Sequence, residues 1–197
     1  MKYKISSLVV LAISSVAANA AVIVNTLPAN NQANLNPDAG QTFTTSVLGA
    51  ENALSTIEIE GPQAGATSTA FTLELWTDVD GDQSTWGTGT LLGTSDAQVF
   101  SNGTIATFTF ASQPVLSDST VYAFTYTDGA GTRILARMGL TNATAISDGT
   151  LFGGGTQQFG DAFDTAMRIT TVASIPEPST SLLAGLAGLA LLRRRRR

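Results

Sequence analysis

Between residues 21 and 174, apolar residues recur in short alternating runs and nowhere in a helical stripe. That pattern restricts the fold more than any other feature of the chain. Phe71, Leu73 and Leu75 alternate with Thr72, Glu74 and Trp76. Successive strand side chains point to opposite faces, so Leu73 and Leu75 are expected in a core and Glu74 in solvent. Thr104 to Phe110 alternates as well, with Ile105 out of step with the Phe108 and Phe110 face. Runs of the same kind cover Ala21 to Leu27, Gln41 to Val47, Leu54 to Gly61, Ala70 to Thr77 and Thr90 to Thr94. Others cover Val121 to Thr127, Ile134 to Leu140 and Ala166 to Val172. They are rich in Thr, Val, Ile and Phe and are separated by Gly, Asn, Asp and Pro. The expected class is all-β, an antiparallel β-sandwich of jelly-roll-like form. Residues 28–40 are expected to be a crossing loop and 141–163 a long surface excursion. Phe152 and Phe159 flank Gly153-Gly154-Gly155, where they either pin that excursion or stand at a ligand edge. Phe43, Phe71, Phe108, Phe110 and Phe124 are expected in the core. Tyr122 and Tyr126 share one side of their strand.

The two ends differ from the middle. Lys2 and Lys4 precede a mainly apolar stretch from Ile5 to Val16, and Ala18 and Ala20 supply small residues at the cutting position. Residues 1–20 are a secretory signal peptide by this pattern, for removal by signal peptidase, with Ala21 as the mature start. At the other end, Ile175 to Ser181 precedes the apolar run Leu182 to Leu192. The chain closes on Arg193, Arg194, Arg195, Arg196 and Arg197. The apolar run is expected to enter the membrane as a transmembrane helix, with the arginines on the cytoplasmic side. Its 11 residues make it short. At 1.5 Å per residue it rises about 17 Å, against about 30 Å of hydrocarbon. The ends therefore bound a domain over 21–174 and a tail over 175–197.

Pro176-Glu177-Pro178, the apolar run and the arginines, in that order, resemble the PEP-CTERM sorting signal of Gram-negative bacteria. The resemblance implies recognition by an exosortase-like membrane protease, with Pro176, Glu177 and Pro178 as its motif. It also implies cleavage near that motif and delivery to the cell surface or extracellular matrix, in organisms that make exopolysaccharide and form biofilm. The body is similar to the choice-of-anchor exported β-sandwich domains. The similarity is carried by Gly40-Gln41-Thr42-Phe43, by Glu74 to Asp78 and by Gly87 to Leu92. It implies a sandwich of unassigned function, in a group where carbohydrate binding is suspected.

Charge and composition exclude several functions. Residues 21–175 hold 14 acidic residues and 3 basic ones, so the exported part is −11 (3 minus 14). That disfavours nucleic acid and anionic polymers. The absence of Cys removes a disulfide framework and cysteine nucleophiles, and the absence of His removes histidine relays and ordinary zinc sites. A body of this size buries a stable core without such staples.

The strongest local feature is Asp78-Val79-Asp80-Gly81-Asp82. Alternate carboxylates in a turn can converge oxygen ligands on Ca²⁺, the one candidate cofactor. The pattern departs from the complete calcium loop: Gln83 stands at the glycine position and Gly89 where a closing Glu belongs. An acidic, solvated turn is the competing explanation. Trp76 and Trp86 flank the segment and are candidate platforms for a sugar, or else caps on the core. Carboxylates that could serve a glycosidase are Glu51, Glu58, Glu60 and Glu74, with Glu58 and Glu60 on one face of their strand. The sequence thus points to a non-catalytic, exported surface or matrix protein with a structural or adhesive role in exopolysaccharide. A carbohydrate-binding module, with or without calcium, and a carboxylate-based glycosidase or lyase stand as alternatives.

Overall fold

A computed structural model describes residues 19–34, 39–65, 69–77, 89–128, 137–142, 146, 149–153, 156–157 and 162–174. The chain runs through β1 (Ala20–Asn25), β2 (Asn31–Asn34), β3 (Gly40–Thr44), β4 (Ala53–Glu60) and β5 (Thr72–Thr77). It continues through β6 (Thr90–Thr94), β7 (Ile105–Thr109), β8 (Val121–Thr127) and β9 (Arg137–Asn142). It closes with β10 (Leu151–Gly153), β11 (Thr156–Gln157), β12 (Phe163–Thr165) and β13 (Met167–Val172). Every pairing between these strands is antiparallel. One sheet has the order β1-β13-β4-β7, a larger one β11-β10-β3-β8-β5-β6, and a small one β12-β9-β2.

The alternation read from the sequence sets the faces. Leu73 and Leu75 of β5 are fully buried, as are Ile57 and Ile59 of β4 and Phe108 of β7. Ile105 lies on the solvent side of β7, which explains why it fell out of step. The inward faces of the four-stranded and six-stranded sheets meet in one core. Phe71, just ahead of β5, stacks on Phe108 of the opposite sheet at a centroid distance of 6.1 Å. It also meets Phe100 edge-on at 4.7 Å and Tyr126 at 5.7 Å. Each such aromatic contributes about 1.5–3 kcal/mol by burial, and edge-to-face packing adds to it. Phe43, Phe110 and Phe124 join this core as expected. Tyr122 and Tyr126 share the core side of β8.

Three expectations need correction. Residues 28–40 contain β2, a four-residue strand that pairs with β9. Residues 141–163 are not a plain surface excursion. They include β10, whose Leu151 and Phe152 are buried and which pairs with β3. β2 and β10 are too short to show an alternation, and their partners β9 and β3 lie far away in the chain. The third correction concerns the transmembrane helix. All regular elements among the described residues are strands, and no helix there is long and apolar enough to cross a membrane. The Leu182 to Leu192 segment for which it was expected lies outside the described residues, and 11 residues fall well short of a bilayer core.

Gly40 shows how tightly β3 is enclosed. A Cβ there would run into the Phe124 carbonyl oxygen of β8 and the Phe152 ring of β10. Only glycine lets the three strands lie this close.

Candidate functional site

Two places on the body can be tied to function: the corner where both chain ends leave it, and the surface around Trp76. The corner follows from strand order. β13 lies between β1 and β4, so the first and last strands are neighbours. Ala20 faces Val172, and Val172 faces Ala53 on its other side. Thr26 fastens the far end of this pair: its hydroxyl accepts from the Met167 amide at 2.8 Å and lies 2.8 Å from the Thr165 carbonyl oxygen. Two residues past β13, the Ser174 amide still donates to the Ala50 carbonyl at 3.4 Å. The expected signal-peptide junction, Ala20 to Ala21, and the start of the tail therefore sit side by side at the end of one sheet. The contacts of this corner run from Ala20 to Ser174.

The same end carries the gap between β5 and β6. Ala53 bridges Val115, and Thr45 donates from its hydroxyl to the Ser117 carbonyl at 2.6 Å. Thr44 pairs with Val121, Ala123 with Trp76, and Thr77 with Thr90. The acidic segment thus leaves and re-enters the body at the end that bears the tail. Asp78, Asp80, Asp82 and Trp86 themselves lie outside the described residues. Among the described residues, no group of three or more metal-ligating side chains comes together.

Trp76 is half-buried on the outer face of the six-stranded sheet. Its row runs across Leu91, Trp76, Ala123 and Thr42. The indole Nε1 donates to the Thr125 hydroxyl at 3.3 Å, which fixes the ring on the sheet. Beside it, the Thr72 and Thr127 hydroxyls are 2.9 Å apart. Trp76 therefore offers part of its ring to solvent and spends its N–H on the sheet.

Three of the four carboxylates considered for hydrolysis are engaged in structure. Glu58 faces Arg168 across β4 and β13 and accepts from both its Nε and Nη2, the latter at 2.8 Å. This hydrogen bond, reinforced by the charge of Glu58, holds the Arg168 guanidinium above its usual pKa. Glu60 accepts from the Ala29 amide at 2.7 Å, pinning the turn after β1. Glu51 and Glu74 are both half-buried, Glu74 on β5 with partners of its own.

One polar cluster escaped the sequence altogether. Gln41 of β3 is fully buried. Its Nε2 donates to Asp164 Oδ1 at 2.9 Å, and its Oε1 accepts from the Thr165 amide at 3.0 Å. Asp164 Oδ2 accepts from the Ile146 amide at 3.2 Å. Tyr126 stands beside this cluster, bonded to Thr165, and burial pushes its hydroxyl well above the usual range. The cluster ties β12 onto the larger sheet by satisfying each buried group. The sequence held no warning of it, because a single Gln in a strand and a single Asp in a Gly-rich stretch look like solvent residues.

Pro176, Glu177, Pro178 and the arginine cluster lie outside the described residues, but comparison with known proteins bears on them. Residues 174–197 match the PEP-CTERM protein-sorting motif. The motif implies an exosortase-type partner, transient anchoring at the membrane and then surface or extracellular localisation. In fold, the chain is similar to the Clostridial cysteine protease Cwp84 after propeptide cleavage. The TM-score is 0.53 and the identity 10%, over 79% of this chain and 40% of that one. A second structure holds the cysteine protease and lectin-like domains of Cwp84, a surface layer associated protein of Clostridium difficile. It gives a TM-score of 0.46 and 9% identity, over 75% of this chain and 37% of that one. This chain spans less than half the length of either, and at such identity the likeness is one of fold alone. No curated protein matches the chain.

Proposed function

We propose that the body is a non-catalytic structural or adhesive module of the cell surface or extracellular matrix. The sorting tail delivers it there, and exopolysaccharide is its working environment. The observation that carries this reading is the direct join between the tail and β13. The last sheet-side contact falls at Ser174, the residue at which the sorting motif begins, which supports an exported product that is essentially the sandwich. The sheet orders support a jelly-roll-like sandwich: β1-β13-β4-β7 opposes β3-β8-β5-β6, and the chain crosses between the two sheets at every step among these strands except the β5–β6 hairpin. A non-catalytic role is supported by the absence of His and Cys and by the structural engagement of Glu58 and Glu60. Signal peptidase is the enzyme proposed to free Ala21.

Co-sedimentation of the purified exported domain with exopolysaccharide from an exosortase-bearing Gram-negative biofilm tests the reading. Retention with the polymer, without any change in its chain length, is the expected result. Depolymerisation would replace the reading with the hydrolase. Loss of the domain to the supernatant would remove the matrix role.

The half-exposed Trp76 favours a second reading, a carbohydrate-binding module, calcium-assisted through Asp78, Asp80 and Asp82. Binding to one defined oligosaccharide that falls on Trp76→Ala and on chelation would select this reading over general matrix retention.

A further inference from the structure

The outer face of the larger sheet carries an apolar pair at its edge. Trp76 of β5 lies opposite Leu91 of β6, and β6 is the last strand of that sheet. A register shift brings the two together. Leu75 pairs with Gly93 but Trp76 with Leu91, so Leu92 is an extra residue on β6. Leu92 packs against the core, and Leu91 turns to solvent with 45% of its surface exposed. Bulges of this kind gather at sheet edges and beside binding sites, where they re-aim a side chain.

The next row on the same face is polar. Glu74 and Thr94 lie opposite one another, Glu74 half-buried and Thr94 exposed. Two residues along a strand span about 6.6 Å, and one strand across about 4.8 Å. The four side chains thus border a patch with room for one sugar ring. Apart from the Thr94 hydroxyl, the patch offers only acceptors. The Trp76 Nε1 is engaged with Thr125, so the indole presents its π-face and no N–H. Glu74 has partners of its own, but a carboxylate carries about four acceptor sites and takes a further donor.

Charge narrows the choice of sugar. Residues 21–175 hold 14 acidic and 3 basic residues, and one of the three, Arg168, is held by Glu58. A uronic acid would be repelled by Glu74 and by the body at large. A protonated amine would meet Glu74 in a charge-assisted hydrogen bond and the Trp76 face in a cation–π contact.

We propose that Trp76, Leu91, Glu74 and Thr94 form a subsite selective for hexosamine units with free amino groups, so that the polymer it grips is polycationic. The inference rests on the carbohydrate-binding reading and adds the charge class of the sugar and the residue that reads it, Glu74.

Calorimetry of the exported protein with glucosamine oligosaccharides, with the same oligosaccharides N-acetylated, and with oligogalacturonate tests it. The glucosamine form is expected to bind several-fold more tightly than the N-acetylated form and to weaken with added salt. The galacturonate is expected not to bind. E74Q should lower the glucosamine affinity about five-fold, the size of one surface ion pair, and leave the N-acetylated form unchanged. L91K sets the protein's own ammonium beside Glu74 and should lower the glucosamine affinity as well, at an unchanged melting temperature because Leu91 is exposed. Trp76→Ala should abolish binding of both forms. Equal affinity for the two forms, or a glucosamine affinity that E74Q or L91K leaves intact, overturns the inference and leaves the carbohydrate-binding reading standing. Glucosamine binding that survives Trp76→Ala overturns it too, since the acidic body would then attract polycations without a site. Binding of no oligosaccharide overturns the carbohydrate-binding reading itself, and this inference with it.

Discussion

Replacing Gln41 with Glu puts a carboxylate where an amide now donates to Asp164 Oδ1 across 2.9 Å. The shape is almost unchanged, and the bond accepted from the Thr165 amide survives. What changes is charge. Two carboxylates at this separation repel by about 6 kcal/mol at an effective dielectric of ~20. The alternative is for the pair to keep one proton, as close carboxylates do. Holding it costs about 1.4 kcal/mol for each pH unit above the ordinary glutamate value of about 4.3. At pH 7 that is about 4 kcal/mol, so sharing a proton wins. The introduced group has its folded pKa raised above the unfolded one, so the folded state binds more protons. The loss is absent below about pH 4 and grows as pH rises toward the raised value. Urea unfolding of the exported domain should show Q41E about 1 kcal/mol weaker than the parent at pH 5 and about 4 kcal/mol weaker at pH 7. A difference that stays flat with pH would refute the reasoning, since it would mean that water screens the pair. No loss at all would mean that Gln41 and Asp164 do not meet.

Three further outcomes follow from the packing. Gly40→Ala should cost about 3 kcal/mol or more, because the new methyl meets backbone on one side and the Phe152 ring on the other; soluble yield and a thermal melt read it. Thr26→Val should cost about 1–3 kcal/mol in urea, since it leaves the Met167 amide buried without its acceptor, and an unchanged midpoint would place water at that amide. Burial raises the Tyr126 pKa, so its share of stability is complete below pH 10 and is lost as pH rises beyond, where only the unfolded chain ionises. Tyr126→Phe should flatten the alkaline limb of a stability–pH curve, and an unaltered limb would assign that slope to another group.

The long alternating runs made most of the fold legible. β6 and β8 have the bounds expected, and β5 places Leu73, Leu75 and Glu74 on the expected sides. Alternation is a local property, so it marks any strand long enough to show both faces. It is silent on β2 and β10, where four residues or fewer are held by β9 and β3, far along the chain, and on β11, which has two residues. It is silent for the same reason on Gln41 and Asp164, which are separated by 123 residues and meet only in the finished fold. The sorting motif was legible, because such a signal is a linear code of composition and order; the transmembrane helix expected within the tail was not upheld. The surface at Trp76 was half legible: the ring could be placed beside a polar loop, but its N–H partner, Thr125, is set by strand register.

The position of β13 bears on when the body can fold. Its hydrogen bonds to β1 join residues 150 positions apart, as between Thr171 and Ala21, and they close the largest loop of the domain. Contacts of such long range make folding slow. The chain threads the export channel from its N-terminus, so β1 and β4 reach the outside long before the strand that must lie between them. Through most of translocation, the four-stranded sheet has a vacancy at its centre and two edges open to other chains. The strand that closes the sheet is the one nearest the sorting motif in sequence, so the four-stranded sheet can be completed only after nearly the whole body has crossed.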